Sequence, residues 1–567
     1  MHEWLYSLPL PDIVVLYFRS LGAIFFQYHL VPGIIIAIGV LIYSRQALLL
    51  SILGFACAWV FYLFIGADIN ALSYSYIGFN FILTAIAIGG FFVIPSKWSY
   101  LWVILLTPLT SFLITSTSEM FAPSQLSIYS LPFNLVVLMF LYILKFREKN
   151  YRKPEPVVVQ HFSPEMNFYT KDNHRKRFNE DVSINITLPF FGEWNVTQAH
   201  NGEHTHKNNW KHAWDFEIVD EDGIFNSGTG LELTDFYCFN KPIVAPADGW
   251  VEEILDGVDD NNIGDVNLDQ NWGNTIVIRH HDKIFSMLSH LKKDSFKVEK
   301  GDYVKRGDVL ALCGNSGRSP KPHLHFQMQA DPYIGSPTID FPIAFFILHE
   351  IAVCELETYS KPRHHDIISN VEKNDSLHEA FHFVPGQKLQ FSLTSDKGEY
   401  EGQVKLLVKT DSLNNTFIHD ENGQAKAWFR SEAGMTYFTH FEGNKSSFLY
   451  LIFLGLYRSV AGFYPGLKVH DTYTLSMITS KAGMILQDFV APFYTFLHAD
   501  YEIEYLRHDG DWLDSVVELQ SQASVRSGKK IRKAIDFNFQ VKKGRIEKIR
   551  INTGSANIEA RWEEADF

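Results

Sequence analysis

The sequence predicts a multidomain protein with an α-helical membrane domain first, an all-β domain next and a β-rich domain last. Almost all long apolar runs lie before residue 145. Short β-type segments bounded by glycine, aspartate and asparagine follow them, and apolar residues alternate with polar ones in the last third of the chain. At 567 residues the chain is also too long for a single hydrophobic core.

Composition excludes some classes of function. The formal net charge of -14 argues against a nucleic-acid partner, which would favour a basic surface. The cysteines are few and lie far apart in the sequence, at Cys57, Cys238, Cys313 and Cys354. This spacing indicates neither a disulfide framework nor a Cys-x-x-Cys zinc site.

Residues 1–148 are the predicted membrane domain. Several of its apolar runs reach the roughly 17–25 residues that span a bilayer, and others are shorter or interrupted by proline or glycine. No basic start precedes the first run and no small-residue cleavage site follows it, so a cleavable signal peptide is not expected. The runs are Ile13–Phe26, Val31–Tyr43, Ala47–Ile65, Tyr76–Ile94, Leu101–Ile114 and Ile128–Leu144.

Three stretches in this domain resemble one repeat of the urea transporter family: Phe18–Gly22, Gly78–Gly90 and Ser130–Asn134. Family members carry two inverted repeats with the urea path between them, whereas one repeat is present here. The resemblance implies either a homodimer that completes a path for urea or a domain that serves as a membrane anchor. Ser130 is the pore candidate, because its hydroxyl stands where the family usually has threonine.

Residues 149–185 are a predicted linker between the membrane domain and the next domain. They show no clear apolar periodicity, and Pro154 and Pro156 favour an extended spacer.

Residues 186–350 contain a pattern of histidines and one aspartate that indicates a metal site. His206 precedes Asp215 by nine residues, His290 follows a strand-like stretch, and His323 and His325 close the pattern. In a strand, His323 and His325 project from the same face. Two histidines and one carboxylate leave a fourth zinc position open for water, as a catalytic zinc site requires.

The stretch from about Gly192 to Phe341 resembles the lysostaphin/LytM-type zinc metalloendopeptidases, which have a duplicated hybrid motif and cut peptide cross-links in peptidoglycan. The resemblance implies an all-β peptidase domain that binds Zn²⁺. It assigns His206, Asp215 and His325 as metal ligands. It assigns His323 as the general base and His290 as a hydrogen-bond donor to the developing oxyanion.

The first ligand has two rivals, His204 and His212, because many family members write the first pair as His-x-x-x-Asp. His212 lies three residues before Asp215, and such an offset in a strand places the two side chains on opposite faces. The spacing of His206 needs a loop that folds back, and Asn208–Trp210 contains turn-forming residues. We therefore favour His206.

Two other interpretations of this domain are weaker. A biotinyl or lipoyl carrier would need a modifiable lysine at an exposed hairpin tip, and the sequence has none in that context. The acidic stretches Asp259–Asn262 and Asp265–Trp272 could bind calcium, but a solvated loop is the expected structure.

Residues 351–567 are a predicted β-rich accessory domain. Apolar residues alternate with polar ones in Leu389–Leu393 and in Ile535–Val541, which a turn joins to Ile546–Ile551. The apolar stretch Phe448–Tyr457 is too short to span a membrane and predicts a buried segment. The adjacent pair His364–His365 is expected to point apart and to hold no metal. We expect accessory binding or partner contact from this domain.

Together these features predict a membrane-anchored zinc metalloendopeptidase that hydrolyses peptidoglycan peptides by metal-activated water, in a bacterial inner membrane. The alternatives are a urea or small-amide channel subunit and a non-catalytic regulator of wall hydrolases. The substrate class favours a periplasmic peptidase domain. Arg45, Lys97 and the basic cluster at 145–153 fall on one side of the predicted spans, and the positive-inside rule makes that side cytoplasmic.

Overall fold

The computed structural model describes residues 10–68, 78–147, 153–158, 162–179, 182–350, 353–398, 400–510 and 515–564. These residues divide into two compact units. The helical unit comprises Met1–Lys176, Thr472–Ala499 and Val525–Arg532, and the β unit comprises Arg177–Asp471, Asp500–Ser524 and Lys533–Phe567. The predicted fold class, helical first and β-rich afterwards, is confirmed.

The helical unit begins with a series of apolar helices. Two of them, Arg45–Ile65 and Lys97–Ser124 with its short terminal turn, are long and apolar enough to cross a membrane, while the others are shorter. Residues 76 and 77 of the predicted run Tyr76–Ile94 lie outside the described residues. The helices are α1 (Asp12–Ala23), α2 (Leu30–Tyr43), α3 (Arg45–Ile65), α4 (Gly78–Ile86, continued by the π-helical turn Ala87–Phe91), α5 (Lys97–Phe121) and α6 (Leu131–Lys145).

Small residues allow α3 and α4 to approach closely. A Cβ added at Gly54 of α3 would lie 2.4 Å from Ala85 Cβ and 2.8 Å from the Phe81 carbonyl oxygen. Close approach through small residues is typical of helices that pack inside a membrane.

The stretch expected to be an extended linker contains helix α7, Pro164–Arg177. Its buried residues include Glu165, Asn167 and Asn173. Because the side chains that this helix buries are mostly polar, with Tyr169 among the few apolar ones, a search for apolar periodicity does not detect it. The extended spacer is therefore wrong for residues 164–177.

The β unit begins with the strands that form the candidate site. They are β1 (Trp194–Gln198), β2 (Ala213–Glu217), β3 (Pro242–Val244), β4 (Gly249–Leu255), β5 (Asn274–His281), β6 (Ile284–Leu291), β7 (Tyr303–Val304), β8 (Val309–Leu312), β9 (Leu324–Gln329), β10 (Ile343–His349), β11 (Cys354–Ser360) and β12 (Ile367–Ser369).

Later elements complete both units. They are α8 (Asp375–Phe381), β13 (Lys388–Ser395), β14 (Gly402–Thr410), β15 (Thr416–Asp420), β16 (Ala425–Glu432), β17 (Met435–Gly443), α9 (Phe448–Gly455), β18 (Arg458–Val460), β19 (Lys468–Thr472), α10 (Leu475–Ile478), α11 (Lys481–Val490), β20 (Leu497–Asp509), β21 (Val516–Ser527), β22 (Lys530–Lys542), β23 (Arg545–Asn552) and β24 (Asn557–Trp562).

An antiparallel sheet in the order β1–β2–β9–β6–β5–β4–β7 carries the candidate site. Strand β9 lies between β2 and β6, so that His325 pairs with Asp215 on one side and with Ser289 on the other. Alternation along β9 directs Leu324, Phe326 and Met328 into the hydrophobic core. His325 and the glutamines that follow it lie on the opposite face.

Residue 350 is not a boundary in the sheet. Strands β10 and β11 form a hairpin in which His349 pairs with Cys354, and β1 pairs with β12, Trp194 opposite Ile368. Ile343, Phe346 and Ile368 belong to the same core cluster as the strands of the candidate site. The structure therefore groups residues 353–369 with the segment that we expected to end at residue 350.

Two predictions for the last third of the chain are confirmed, and one is wrong. Strands β22 and β23 pair as a hairpin, and every residue of α9 is buried. The rings of His364 and His365, expected to point apart, stack with centroids 3.7 Å apart. His365 has a φ of 73°, so the backbone turns there instead of continuing as an extended chain.

Candidate metal centre

Three elements bring His206, Asp215 and His325 together. Asp215 lies in β2 directly opposite His325 of β9. His206 lies in the loop between β1 and β2, and the 3-10 turn Asn208–Trp210 folds this loop back, as the sequence predicts. All three residues are buried, and one ligand atom from each lies within 4.8 Å of the others.

One carboxylate oxygen is the centre of the cluster. Asp215 Oδ1 lies 2.9 Å from His325 Nδ1 and 3.2 Å from His206 Nε2. The Nε2 atom of His323 lies 4.0 Å from the same oxygen. The other oxygen, Asp215 Oδ2, accepts a hydrogen bond of 2.7 Å from Gln198 Nε2.

The outer partners of the two histidines fix which ring nitrogen carries hydrogen. His206 Nδ1 lies 3.0 Å from the Ala199 carbonyl oxygen, which can only accept, so His206 Nδ1 donates. His325 Nε2 donates to Gln327 Oε1 at 3.1 Å, because the Gln327 amide nitrogen donates to the Ser336 carbonyl oxygen. The neutral rings therefore present lone pairs at His206 Nε2 and His325 Nδ1 toward a carboxylate oxygen.

This donor set fits a divalent metal. Two imidazole lone pairs and a carboxylate oxygen are acceptors that face one another, and a cation between them satisfies all three. Two histidines and one carboxylate are also a common protein ligand set for catalytic zinc.

The charges of the cluster support the same conclusion. Burial alone would raise the pKa of Asp215, but the positive charge that His206 carries when protonated, and the contacts of Asp215 Oδ1 with the ring nitrogens of His206 and His325, hold this pKa well below its usual value. Burial alone would lower the pKa of His206, but the Asp215 charge outweighs it and the pKa is raised. Asp215 is therefore ionised in this buried position.

Gln198 and Gln327 were not predicted from the sequence. Gln198 also accepts hydrogen bonds through Oε1 from the backbone N–H groups of His204 and Thr205, at 2.9 and 3.1 Å. It therefore ties the Asp215 carboxylate to the loop that carries His206. The two-residue spacing of Gln327 from His325 places both on one face of β9, and this signal could have identified Gln327.

His290 and His323 lie beside the cluster with their ring centroids 4.7 Å apart. His290 Nδ1 donates to the Ser316 carbonyl oxygen at 2.8 Å, and His323 Nδ1 donates to the Lys321 carbonyl oxygen at 2.9 Å. In their neutral forms both rings therefore carry a lone pair at Nε2. Burial, together with the nearby His323 and His325, lowers the pKa of His290 well below its usual value.

The acidic insertion has a structural role that we did not expect. Asn261 Nδ2 donates to the carbonyl oxygens of Asn315, Gly317 and Ser319 at distances of 2.7–3.1 Å. Asp260 Oδ1 accepts a 2.6 Å hydrogen bond from the Asn315 backbone. The insertion therefore holds the turn at residues 314–319, whose Ser316 carbonyl orients His290, and this part of it is more than a solvated loop.

The cluster opens into a cavity of about 710 Å³. Besides the five predicted site residues, aromatic and charged side chains line it, among them Trp210, Trp272, Arg318 and Lys321. A pocket of this size, with a few convergent polar groups, is of the kind that binds a small substrate or a short peptide segment.

The two rivals for the first ligand position, His204 and His212, do not belong to the cluster around Asp215. His212 approaches Asp340 and His200 and forms a second cluster, in which one atom from each residue lies within 4.8 Å of the others. Lys361 Nζ lies 2.5 Å from Asp340 Oδ1. His204 lines the cavity, but it is not part of either cluster.

The pore candidate Ser130 lies where α6 begins. Its carbonyl oxygen accepts a 2.9 Å hydrogen bond from Asn134 Nδ2. Asn80, on α4, brackets this junction, since its Nδ2 donates to the Tyr129 carbonyl oxygen and its Oδ1 accepts from the Phe133 backbone. Asn80 is a buried polar residue that the sequence analysis did not single out.

Two family models match the chain. The urea transporter model matches residues 2–145, and the peptidase family M23 model matches residues 230–335. The second match includes His290, His323 and His325, whereas His206 and Asp215 precede it.

Curated relatives are similar over the peptidase segment. An uncharacterized metalloprotease of Haemophilus influenzae is 32% identical over 102 residues, which cover 18% of this chain and 19% of the relative. The peptidoglycan DD-endopeptidase ShyB of Vibrio cholerae is 40% identical over 73 residues, 13% of this chain and 17% of the relative. Lysostaphin of Staphylococcus staphylolyticus is 38% identical over 74 residues, which cover 13% of this chain and 15% of the relative. The chain thus spans less than a fifth of the length of these relatives.

Among solved structures, the catalytic domain of lysostaphin from Staphylococcus simulans aligns with a TM-score of 0.17 and 21% identity, over 26% of this chain and 88% of that one. The catalytic domain of the M23 protein EnpA from Enterococcus faecalis aligns with a TM-score of 0.19 and 17% identity. This alignment covers 27% of this chain and 93% of the EnpA domain.

His325 of the cluster lies within residues 230–335, which match peptidase family M23, and the apolar helices α1–α6 lie within residues 2–145, which match the urea transporter model.

Proposed function

We propose that the protein is a membrane-anchored zinc metalloendopeptidase that hydrolyses the peptide cross-links of peptidoglycan. The convergence of His206 Nε2, His325 Nδ1 and Asp215 Oδ1 at the floor of the cavity, with His290 and His323 beside it, carries this proposal. The matched peptidase family and the relatives that are metalloproteases or peptidoglycan endopeptidases support it.

His206, Asp215 and His325 would hold the zinc ion. When bound, zinc supplies Lewis acidity, which polarises the scissile carbonyl and lets water lose a proton near neutral pH. Gln198 and Gln327 orient two of these three residues from outside the cluster. Such outer partners fix the tautomer and direction of a ligand.

His323 and His290 each present an Nε2 lone pair while Nδ1 stays bonded to a carbonyl oxygen. Because burial keeps the pKa of His290 well below its usual value, His323 is the proposed proton acceptor. Once protonated, the same Nε2 can donate a hydrogen bond to a developing negative charge or return the proton to the leaving amine. The expected role of His290 as a donor to the oxyanion therefore requires a proton at Nε2, because its neutral form carries a lone pair there.

The proposal is tested with the full-length protein in detergent, zinc content and digestion of purified peptidoglycan being measured together. We expect about one zinc per chain and release of new amino groups from the peptides. His323→Ala should keep zinc and lose most turnover, because it removes a proton acceptor and leaves the ligands intact. Near wild-type activity in His323→Ala would contradict the assigned role.

A protein that binds zinc but never cleaves peptidoglycan would favour the alternative of a non-catalytic regulator. If the site is active, the wild type cleaves peptidoglycan faster than His323→Ala. If the site is catalytically idle, the two proteins show the same background rate.

We further propose that the peptidase domain lies outside the cytoplasm, where peptidoglycan is found. Arg45 and Lys97 begin α3 and α5, and the Ile94 backbone bonds to the Glu155 carbonyl oxygen, which brings the linker to the same end of the helices. By the positive-inside rule, the charges of Arg45 and Lys97 favour a cytoplasmic location for this end of the helices. Labelling of an engineered cysteine at Leu413 in intact cells by a membrane-impermeant maleimide decides between the two sides.

The urea transporter match supports a second candidate function, conduction of urea or a small amide past Ser130. A single repeat supplies one wall of such a path, so a conducting form should be at least a homodimer. Urea flux into vesicles, measured beside the oligomeric state in detergent, tests it. A monomer without flux would support the anchor.

A further inference from the structure

Helix α11 and the turn after it bury two polar side chains and expose several large apolar ones between residues 482 and 494, while Met484 and Ala491 are buried. Gln487 and Asp488 are completely buried, whereas Leu486 is 74% exposed. Phe493 and Tyr494 are 58% and 67% exposed. A helix on the surface of a water-soluble protein buries its apolar side chains and exposes its polar ones. Burial of apolar side chains stabilises such a helix, and burial of polar side chains costs free energy.

The buried polar residues attach this segment to the start of α3. Asp488 accepts an ion-paired hydrogen bond from Arg45 Nε at 3.0 Å, and its Oδ1 accepts from the Tyr169 hydroxyl at 2.9 Å. Gln46 Nε2 donates to the carbonyl oxygens of Asp488 and Phe489. The segment is therefore fixed at the Arg45 end of a helix that is long enough to cross a membrane.

A second contact sets the position of the segment along the axis of α5. The ring of Phe493 lies 4.8 Å from the ring of Tyr100, which is in the first turn of α5. Tyr100 lies three residues after Lys97 in the helix, about 4.5 Å along the axis at 1.5 Å per residue. An amphipathic helix at a membrane surface buries its apolar side to a similar depth, about 5–10 Å.

The neighbouring surface has the composition of a membrane interface. Trp98 is exposed beside Lys97 at the start of α5. Tryptophan and tyrosine are enriched where the headgroups meet the acyl chains, and Tyr494 adds a second exposed aromatic ring with a polar end.

We propose that residues 481–494 lie in the headgroup and upper acyl region of the lipid bilayer, with Ile485, Leu486, Val490, Phe493 and Tyr494 facing lipid. The segment forms a monotopic contact that the C-terminal half of the chain contributes to the membrane domain. This inference rests on the proposed insertion of α3 and α5 in a membrane.

Lipid contact is measured on the full-length chain with Cys57→Ser and Cys354→Ser, because Cys238 and Cys313 are buried. A single cysteine is introduced by Leu486→Cys, by Leu105→Cys on the exposed face of α5, or by Leu413→Cys in the turn between β14 and β15. Each is labelled with bimane in detergent and then reconstituted in phosphatidylcholine vesicles with and without lipid that carries a nitroxide at acyl carbon 5.

The nitroxide lipid should quench bimane at positions 486 and 105 by roughly twofold or more, as expected for probes near the upper acyl chains, and leave position 413 unchanged. Quenching at 105 without quenching at 486 would overturn the inference and leave the inserted helices intact. If position 486 is unquenched and also shielded from aqueous iodide, protein covers it, for example a second copy of the chain, which overturns it too. Absence of quenching at 105 would overturn the proposed membrane insertion and this inference with it.

Discussion

The described residues of the β unit contain two clusters of two histidines and one aspartate each, and the surroundings of the two clusters differ. Asp215 lies with His206 and His325, and Asp340 lies with His200 and His212. The Asp215 side chain is 12% exposed, whereas that of Asp340 is 50% exposed.

The difference lies in what surrounds each histidine and carboxylate. In the first cluster, Ala199 and Gln327 accept from the outer ring nitrogens and turn the lone pairs inward. In the second, the Lys361 ammonium already neutralises Asp340, and His200 Nε2 has no hydrogen-bond partner within the described part of the chain.

The comparison indicates which features of the surroundings, beyond residue type and proximity, would favour metal binding at the first cluster. Outer hydrogen bonds that fix the tautomers, and a carboxylate without a competing cation, distinguish the first cluster.

The largest effect on zinc affinity should come from removing a proposed ligand of the first cluster, compared with removing a histidine of the second. His325→Ala and His206→Ala each remove a lone pair that faces Asp215, so we expect zinc affinity to fall by orders of magnitude. His212→Ala should stay within about tenfold, the lower end of losses from outer-sphere changes. Zinc titration of the full-length variants in detergent measures this. Loss of zinc in His212→Ala with retention in His206→Ala would move the first ligand to His212.

Removal of the outer hydrogen bonds should have the next largest effect. Gln327→Met keeps the length of the side chain but loses the acceptor for His325 Nε2–H, and Gln198→Met loses the donor to Asp215. Each should weaken zinc binding by about 10–100-fold.

Gln403→Met on exposed β14 is the matched control and should bind zinc like the wild type. Gln327→Glu retains an acceptor oxygen and should recover part of the affinity. If Gln327→Met bound zinc as tightly as Gln403→Met, the outer bond would have no role in metal binding.

The second cluster should gain a metal when its competing cation is removed. In Lys361→Met, Asp340 loses its ammonium partner and can join His200 and His212 as a ligand. We expect affinity for a second zinc to rise by about tenfold or more, in the range of single changes around a metal site. A stoichiometry of one at every zinc concentration in this variant would show that the missing tautomer control, and not Lys361, prevents binding.

The smallest effect concerns acid stability. Burial, with the neighbouring His212 charge, lowers the pKa of His200 to about 3. Below pH 6.5 the unfolded chain binds a proton that folded His200 excludes, so stability falls as the pH drops from 6.5 toward 3, by at most about 1.4 kcal/mol per pH unit for one group.

His200→Phe keeps a ring against Trp214, whose centroid lies 4.1 Å away, and removes the titration. Thermal midpoints of the metal-free proteins at pH 7 and pH 5 should differ less in this variant than in the wild type. Equal differences would show that His200 titrates normally in the folded protein.

Much of the candidate site follows from the sequence, because its signals are local. The two-residue period of β9 predicts that His323 and His325 lie close together, and the turn-forming Asn208–Trp210 predicts the return of His206 toward Asp215. These predictions depend on alternation and turn chemistry, which short sequence windows contain.

The remaining features depend on contacts between residues far apart in the sequence. The pairing of β1 with β12 joins residues on either side of the expected boundary at 350. Helix α7 buries Glu165 and Asn173, and Gln198 and Gln327 are buried amides in strands. A polar residue carries no periodic signal of burial, so only its partners in the folded chain reveal its role.

The return of the chain to the helical unit sets the order in which that unit can be completed during synthesis. Arg45 and its partner Asp488 are 443 residues apart. At about 5–20 residues per second, the ribosome needs roughly 20–90 s to make the intervening chain. During that interval the start of α3 lacks Asp488. A nascent chain that stops before α11 therefore leaves the Gln46 amide without the carbonyl oxygens of Asp488 and Phe489.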